Sequence, residues 1–290
     1  MRQRFRRLLL VVVLATTCVS ALATAPSEAR ADHTYKVRLL DTTAYSLYRR
    51  QFRIGFAKLS YGIANWLQIS TYTLPWILGA ALEEVAPNIE FKSTFYNRRR
   101  LALSLSFEFA EGGGDTSEVQ DGMLVETSVN YLVFVTGFAS SIRYNSQIST
   151  HLGGQFTATD VVGDSEPTGD EIRGVAVVNM LQIYGMLEWR ISPVVALTLT
   201  GRWLPYVSDT IARAEVRVDD ATGAIIEIEV EVFDLKNAFA VIPGAVFSWK
   251  RANLRLGIGY GDFFVESVGL VIPGSLVKNI AAEFDVFVRF

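Results

Sequence analysis

The chain carries a single cysteine, only two histidines and, beyond its N-terminal stretch, no continuous apolar run that could cross a bilayer as a helix. A membrane helix needs about 18–20 such residues, so helical spans are excluded even though 50% of the chain is apolar. The one cysteine, Cys18, lies in a segment expected to be removed, and a mature chain without thiols has neither disulfides nor thiol chemistry. A basic patch is also missing. The chain has 27 basic and 30 acidic residues, and losing Arg2, Arg4, Arg6 and Arg7 would leave the remainder near −7, which excludes a nucleic-acid-binding face.

What the N-terminus does have is the three-part pattern of an export signal. Those four arginines precede an apolar run from Leu8 to Leu14, and small residues then offer cleavage positions at Ala21/Ala23, Ala23/Ala25 and Ala29/Ala31. Residues 1–25 are therefore expected to be a signal peptide, with cleavage as late as residue 31, and residues 26–290 to form one domain.

The apolar content of that domain is spread over alternating segments. Leu101, Leu103, Leu105, Phe107 and Phe109 share one face of a strand whose other face is Ala102, Ser104, Ser106 and Glu108. Similar segments fall at 36–45, 51–61, 66–74, 88–96, 122–135, 143–158, 173–190, 194–207, 237–250, 254–262 and 279–290, which with 101–110 makes twelve. Tight links at Gly62–Asn65, Asn97–Arg100, Ile191–Pro193 and Arg251–Asn253 alternate with long polar connections near 75–86, 111–121, 159–171, 208–236 and 263–278. That alternation is the habit of a transmembrane barrel with short periplasmic turns and long outer loops. Aromatics fall into two levels, with Tyr61, Trp66, Tyr96, Trp189, Trp249 and Phe290 near the tight links. Tyr72, Trp76, Phe109, Trp203, Tyr206, Tyr260 and Phe263 lie near the opposite ends.

Residues 212–234 read as a further hairpin around an Asp-Asp-Ala-Thr-Gly turn. It either extends two strands above the membrane or crosses and raises the count to fourteen; the weak apolar face of Ala212, Ala214, Val216 and Val218 favours twelve. An open sheet cannot survive in hydrocarbon, where each unpaired backbone group costs several kcal/mol. The expected fold is thus all-β, a single closed antiparallel transmembrane β-barrel. Alternation places Gln68, Glu90, Lys92, Glu108, Glu126, Arg143 and Gln182 in the lumen, together with Glu188, Arg190, Arg202, Glu283, Asp285 and Arg289.

The last ten residues, AAEFDVFVRF, put Ala282, Phe284, Val286, Val288 and Phe290 on one face and charge on the other. Such a strand resembles the closing strand of bacterial outer-membrane β-barrels. The run from Phe52 to Pro75 (FRIGFAKLSYGIANWLQISTYTLP) is similar to hairpins of outer-membrane proteins related to the meta-pathway phenol-degradation barrels. The resemblance implies the outer membrane as location, lipid and lipopolysaccharide as surroundings, and passage of small molecules as activity. It also implies that the barrel-assembly machinery reads Phe284, Val286, Val288 and Phe290.

Chemical motifs are sparse. Ser149 and His151 share a strand face, but the text STHLGG does not reproduce the pattern of outer-membrane phospholipases, and a structural histidine in a polar lumen is the expected role. Glu227, Glu229 and Glu231, and the crowd Asp160, Asp164, Glu166, Asp170 and Glu171, lack calcium-loop spacing and read as solvated acidic surface. Gly257, Gly259 and Gly261 precede no helix, so no dinucleotide site is expected, and Pro205 and Pro243 predict bulges. No catalytic residue, cofactor or metal is expected. The function predicted first is a passive channel or transporter for small solutes; the alternatives are a non-conducting structural or surface-recognition barrel with acidic loops, and a barrel lipid hydrolase.

Overall fold

The computed structural model describes residues 43–73, 76, 87–120, 123–167, 172–208, 211–218, 224–231, 237–249, 251–261, 263–265, 271–273 and 280–290. The expected signal peptide, residues 36–42 of the expected first strand and the loop at 74–86 except Trp76 lie outside them. The strands are β1 Phe52–Gly55, β2 Lys58–Ala64, β3 Leu67–Tyr72, β4 Asn88–Arg98, β5 Leu101–Gln120, β6 Met123–Arg143, β7 Ile148–Pro167 and β8 Ile172–Arg190. They continue with β9 Val195–Val207, β10 Ile211–Val218, β11 Ala224–Glu231, β12 Phe239–Trp249, β13 Ala252–Gly261, β14 Phe263–Val265, β15 Val271–Pro273 and β16 Ala281–Arg289.

Twelve of these close a ring. β1 to β9 pair in sequence order, β9 pairs with β12, β12 with β13, β13 with β16, and β16 returns to β1, every pairing antiparallel. Closure satisfies the backbone without an edge, as hydrocarbon demands. Side chains sort as the period-2 pattern predicts: along β5, Leu101, Leu105, Phe107 and Phe109 are exposed on the outside while Ala102, Ser104, Glu108 and Ala110 are buried. An exterior of exposed Leu, Phe and Trp around a polar interior fits lipid as the outer solvent and is the reverse of a soluble lipocalin-like barrel.

Strand length divides the wall into a low and a high side. β5, β6, β7 and β8 run 19 to 21 residues, whereas β1 has 4. A tilted crossing takes about 9–11 residues, so the long strands project roughly 20 Å beyond the hydrocarbon. This corrects the loops expected at 111–121 and 159–171, which are largely strand: β5 meets β6 from Gln120 to Met123, and β7 pairs with β8 out to Ser165 and Ile172. β6 also continues through 136–142, and the tight link is Tyr144–Gln147, where Asn145 Oδ1 accepts the amides of Gln147 and Ile148, both at 2.8 Å.

The 212–234 segment stands as an extension. β10 pairs with β11 and lies along residues 172–177 of β8, above the part of β8 that pairs with β9, so twelve strands cross. Pro205 sits at the predicted irregularity, since the β8–β9 register shifts between Leu181 and Ile183 opposite it.

Two expectations at the start of the barrel fail together. The strand expected at 51–61 is a hairpin, β1 and β2, turning at Phe56 and Ala57. The described end of the strand expected at 36–45 is not strand. Residues 43–47 instead run inside the barrel, with Thr43, Ala44, Ser46 and Leu47 buried. The count stays even because the split hairpin supplies the strand that this segment does not.

Candidate functional site: the occupied lumen

Near the tight-turn rim the lumen is filled by residues 43–47, and side chains of the wall take the place of a strand ladder. The Ala44 amide donates to Ser141 Oγ at 2.8 Å, the Ser46 amide to Thr94 Oγ1 at 2.9 Å and the Leu47 amide to Gln68 Oε1 at 2.9 Å. Thr94 Oγ1 in turn donates to the Ala44 carbonyl at 2.8 Å. Ala44 packs against Ala102 and Ala139, whose small side chains leave it room. At the exit from the lumen, Arg50 N–H donates to the Gly62 carbonyl at 2.7 Å. A Cβ on Gly62 would lie 1.9 Å from the Tyr48 carbonyl oxygen, so only glycine permits this crossing.

Ion pairs fill the interior between strands. Arg53 on β1 pairs with Asp285 on β16 and stacks over Phe287, 4.0 Å from its ring centre. Lys58 on β2 pairs with Glu90 on β4 and lies 4.8 Å from the centre of the Tyr72 ring. Tyr72 OH donates to Glu108 at 3.0 Å, so this ring points inward and does not belong to the outer aromatic belt expected for it. Glu283 takes two arginines, Arg202 at 2.9 Å and Arg255, from β9 and β13. Arg53–Asp285 and Arg255–Glu283 join neighbouring strands, Lys58–Glu90 reaches across β3, and Arg202–Glu283 reaches across β12 and β13, so the pairs tie the wall together on its inner face.

His151 sits in the remaining cluster. Its Nδ1 meets Ser141 Oγ at 2.7 Å and its Nε2 meets Glu188 Oε2 at 3.2 Å, while Arg190 forks onto Glu188 at 3.0 and 3.1 Å and reaches Ser149 Oγ at 3.1 Å. Ser, His and Glu are thus in line, but with Ser149 directed to Arg190 rather than to His151. Ser141, fully buried, already accepts the Ala44 amide beneath the lumen segment. The line joins the segment to the wall and offers no open nucleophile.

Of the residues expected to line the lumen, Gln68, Glu90, Lys92, Glu108, Gln182, Glu188, Arg190, Glu283 and Arg289 are buried. Arg143, Arg202 and Asp285 are half-buried on the inward alternation, and the side chain of Glu126 lies outside the described residues. Arg53, Lys58 and Arg255 also face inward and were absent from the expectation. Towards the long-loop rim the interior turns apolar, with Met180, Leu204, Val207, Ala240, Ile242 and Ala281 in one cluster. On the outer face of β16, Phe284 and Phe290 are exposed, Val286 is half-buried and Val288 is buried. Phe284 meets the Phe56 ring edge-on at 6.0 Å, and Phe290 exchanges backbone hydrogen bonds with Phe52.

Among the described residues no group of three or more His, Cys, Asp or Glu is placed to hold a metal. The side chains of Glu227, Glu229 and Glu231, and of the acidic loop residues other than exposed Asp160, lie outside the description.

No protein-family model matches the chain, and no curated protein does. Among solved structures it is similar to CdiB from Acinetobacter baumannii, at 10% identity and a TM-score of 0.29 over 84% of this chain and 60% of that one. It is also similar to the COG4313 outer membrane channel from Pseudomonas putida F1, at 10% identity and a TM-score of 0.21 over 88% of this chain and 98% of that one. The chain spans 60% of the length of CdiB. None of these comparisons recovers the finer likeness of Phe52–Pro75 to the meta-pathway barrels.

Proposed function

We propose that the protein is an outer-membrane channel for small solutes, closed as described, whose lumen opens when residues 43–47 move. One observation carries this reading: among the described residues, what occupies the lumen at the tight-turn rim is the irregular segment 43–47, pinned by side chains of the wall and not part of the strand ladder. A net hydrogen bond contributes only about 0.5–1.5 kcal/mol, so three or four such pins hold a segment that local motion can release. Export through a cleaved leader, an outer-membrane location and handling of Phe284, Val286, Val288 and Phe290 by the assembly machinery belong to the same reading. So does contact of the exposed apolar wall with lipid and lipopolysaccharide.

A second reading, a non-conducting barrel, is favoured by the apolar cluster around Leu204 and Ile242, which fills the interior towards the other rim. A tether separates the two. In a Cys18→Ser background, Ala44→Cys with Ala139→Cys places two thiols within one packed cluster. In planar bilayers the reduced protein is expected to show discrete current steps, oxidation to suppress them and reductant to restore them. Silence in both redox states would leave the non-conducting barrel; steps unaffected by oxidation would show that the segment is not the gate.

A further inference from the structure

The sign of the lumen is opposite to the sign of the chain. Across the whole sequence acidic residues exceed basic ones by three. Inside the barrel the balance reverses: among the described side chains eight basic residues face inward against five acidic ones. Five of the eight are the partners already named for Asp285, Glu90, Glu188 and Glu283, the last of which takes two arginines; the others are Lys92, Arg143 and Arg289. The fifth carboxylate, Glu108, is held by Tyr72.

The excess is concentrated at one mouth. Arg143, Arg190 and Arg289 are the last residues of β6, β8 and β16, three strands that end on the tight-turn rim, and Arg53 stands at the start of β1 on the same rim. Arg143 Nη2 reaches Tyr45 OH at 3.4 Å, which sets one guanidinium of this collar directly against the segment 43–47. Deeper in, the Nε–H groups of Arg202 and Arg255 find no acceptor among the described residues although both arginines share Glu283. Arginine is always charged and presents more donors than a single carboxylate uses. Rings of Arg and Lys are also what anion-passing pores place along their path, and low-dielectric walls focus their field.

We infer that the channel prefers small anions, with the arginine collar at the tight-turn rim and the Arg202–Glu283–Arg255 cluster setting that preference. The inference rests on the channel reading and deepens it by naming the solute class. Chloride is the probe. With a KCl gradient across a planar bilayer, the reversal potential is expected to lie on the chloride side. The expected chloride-to-potassium permeability ratio is about sevenfold, the square of the e-fold partition that one kT of interior potential gives each ion.

Lys92→Gln with Arg143→Gln removes two of the eight positive charges and keeps Arg53, Lys58, Arg190, Arg202 and Arg255 on their carboxylates. The ratio of that variant should fall towards one, with heat-modifiable gel mobility checking that the barrel still forms. Should the variant fail to assemble, the sign of the wild-type reversal potential decides by itself. Current with a reversal potential at zero or on the potassium side overturns the anion preference and leaves the channel standing, whereas absence of all current overturns the channel and the preference with it.

Discussion

Replacing Glu283 by leucine is expected to destabilise the barrel by about 3–5 kcal/mol, the loss found when one partner of a buried ion pair is removed. Glu283 lies on β16 and receives Arg202 from β9 and Arg255 from β13, and its side chain is 6% exposed. Leucine would leave two guanidinium groups facing each other in a poorly hydrated interior, where repulsion and desolvation add. The comparison that isolates the cause is the triple replacement Glu283→Leu, Arg202→Met, Arg255→Met. With every charge of the cluster gone, apolar packing substitutes for it, and stability should return to within about 1–2 kcal/mol of the wild type. Guanidinium unfolding in detergent micelles, followed by intrinsic fluorescence, measures both differences. A single replacement as stable as the wild type would show that water hydrates the cluster and that it braces nothing.

Glu283 was legible in the sequence as a lumen residue; its partners were not. The alternation of 281–290 fixes which residues of β16 turn inward, because a one-residue slip would carry Phe284 and Phe290 into the polar face. Which cations meet Glu283 depends on the ring order β9–β12–β13–β16, and strand parity says nothing of that. Arg255 shares the inward parity of Asn253 and Gly257, so the signal for it was present.

Arg53 and Lys58 are a different case. One is odd and the other even, and a single strand over 51–61 cannot turn both inward. The two-residue turn at Phe56 and Ala57 resets the alternation, and neither residue is the Gly, Asn, Asp or Pro that marks a turn.

Loop against strand was misread for a physical reason. Beyond the hydrocarbon both faces of a strand are wet, so Glu111 to Gln120, rich in Gly, Asp, Ser and Thr, needs no apolar face to pair with β6 and shows no period. The lumen segment misled in the opposite sense. Ala44, Tyr45 and Leu47 look like strand residues, yet the amides of Ala44, Ser46 and Leu47 bond to the side chains of Ser141, Thr94 and Gln68, which lie 97, 48 and 21 positions away along the chain. Hydrogen bonds to side chains leave no periodic trace.

The lipid-facing wall gives the second large effect, and its size should depend on depth. Phe107 is 50% exposed on the outer face of β5, opposite Phe91 of β4, six residues above the tight-turn end of its strand. At about 3.4 Å per residue and a tilt near 45°, that places it roughly 14 Å above the rim, close to the middle of an apolar band about 25 Å tall. Phe107→Arg is therefore expected to cost about 2–4 kcal/mol of folding free energy. Glu111 lies on the same outward alternation four residues higher, where the strand leaves the hydrocarbon, and Glu111→Arg should cost no more than about 1 kcal/mol. Both positions are exposed and both replacements introduce the same side chain, so a difference between them measures the solvent outside the wall rather than packing within it. Unfolding titrations of the two variants in phospholipid bilayers give the comparison. Equal and small costs would mean that Phe107 faces water, and the assignment of the apolar stripe to the membrane would fail with it.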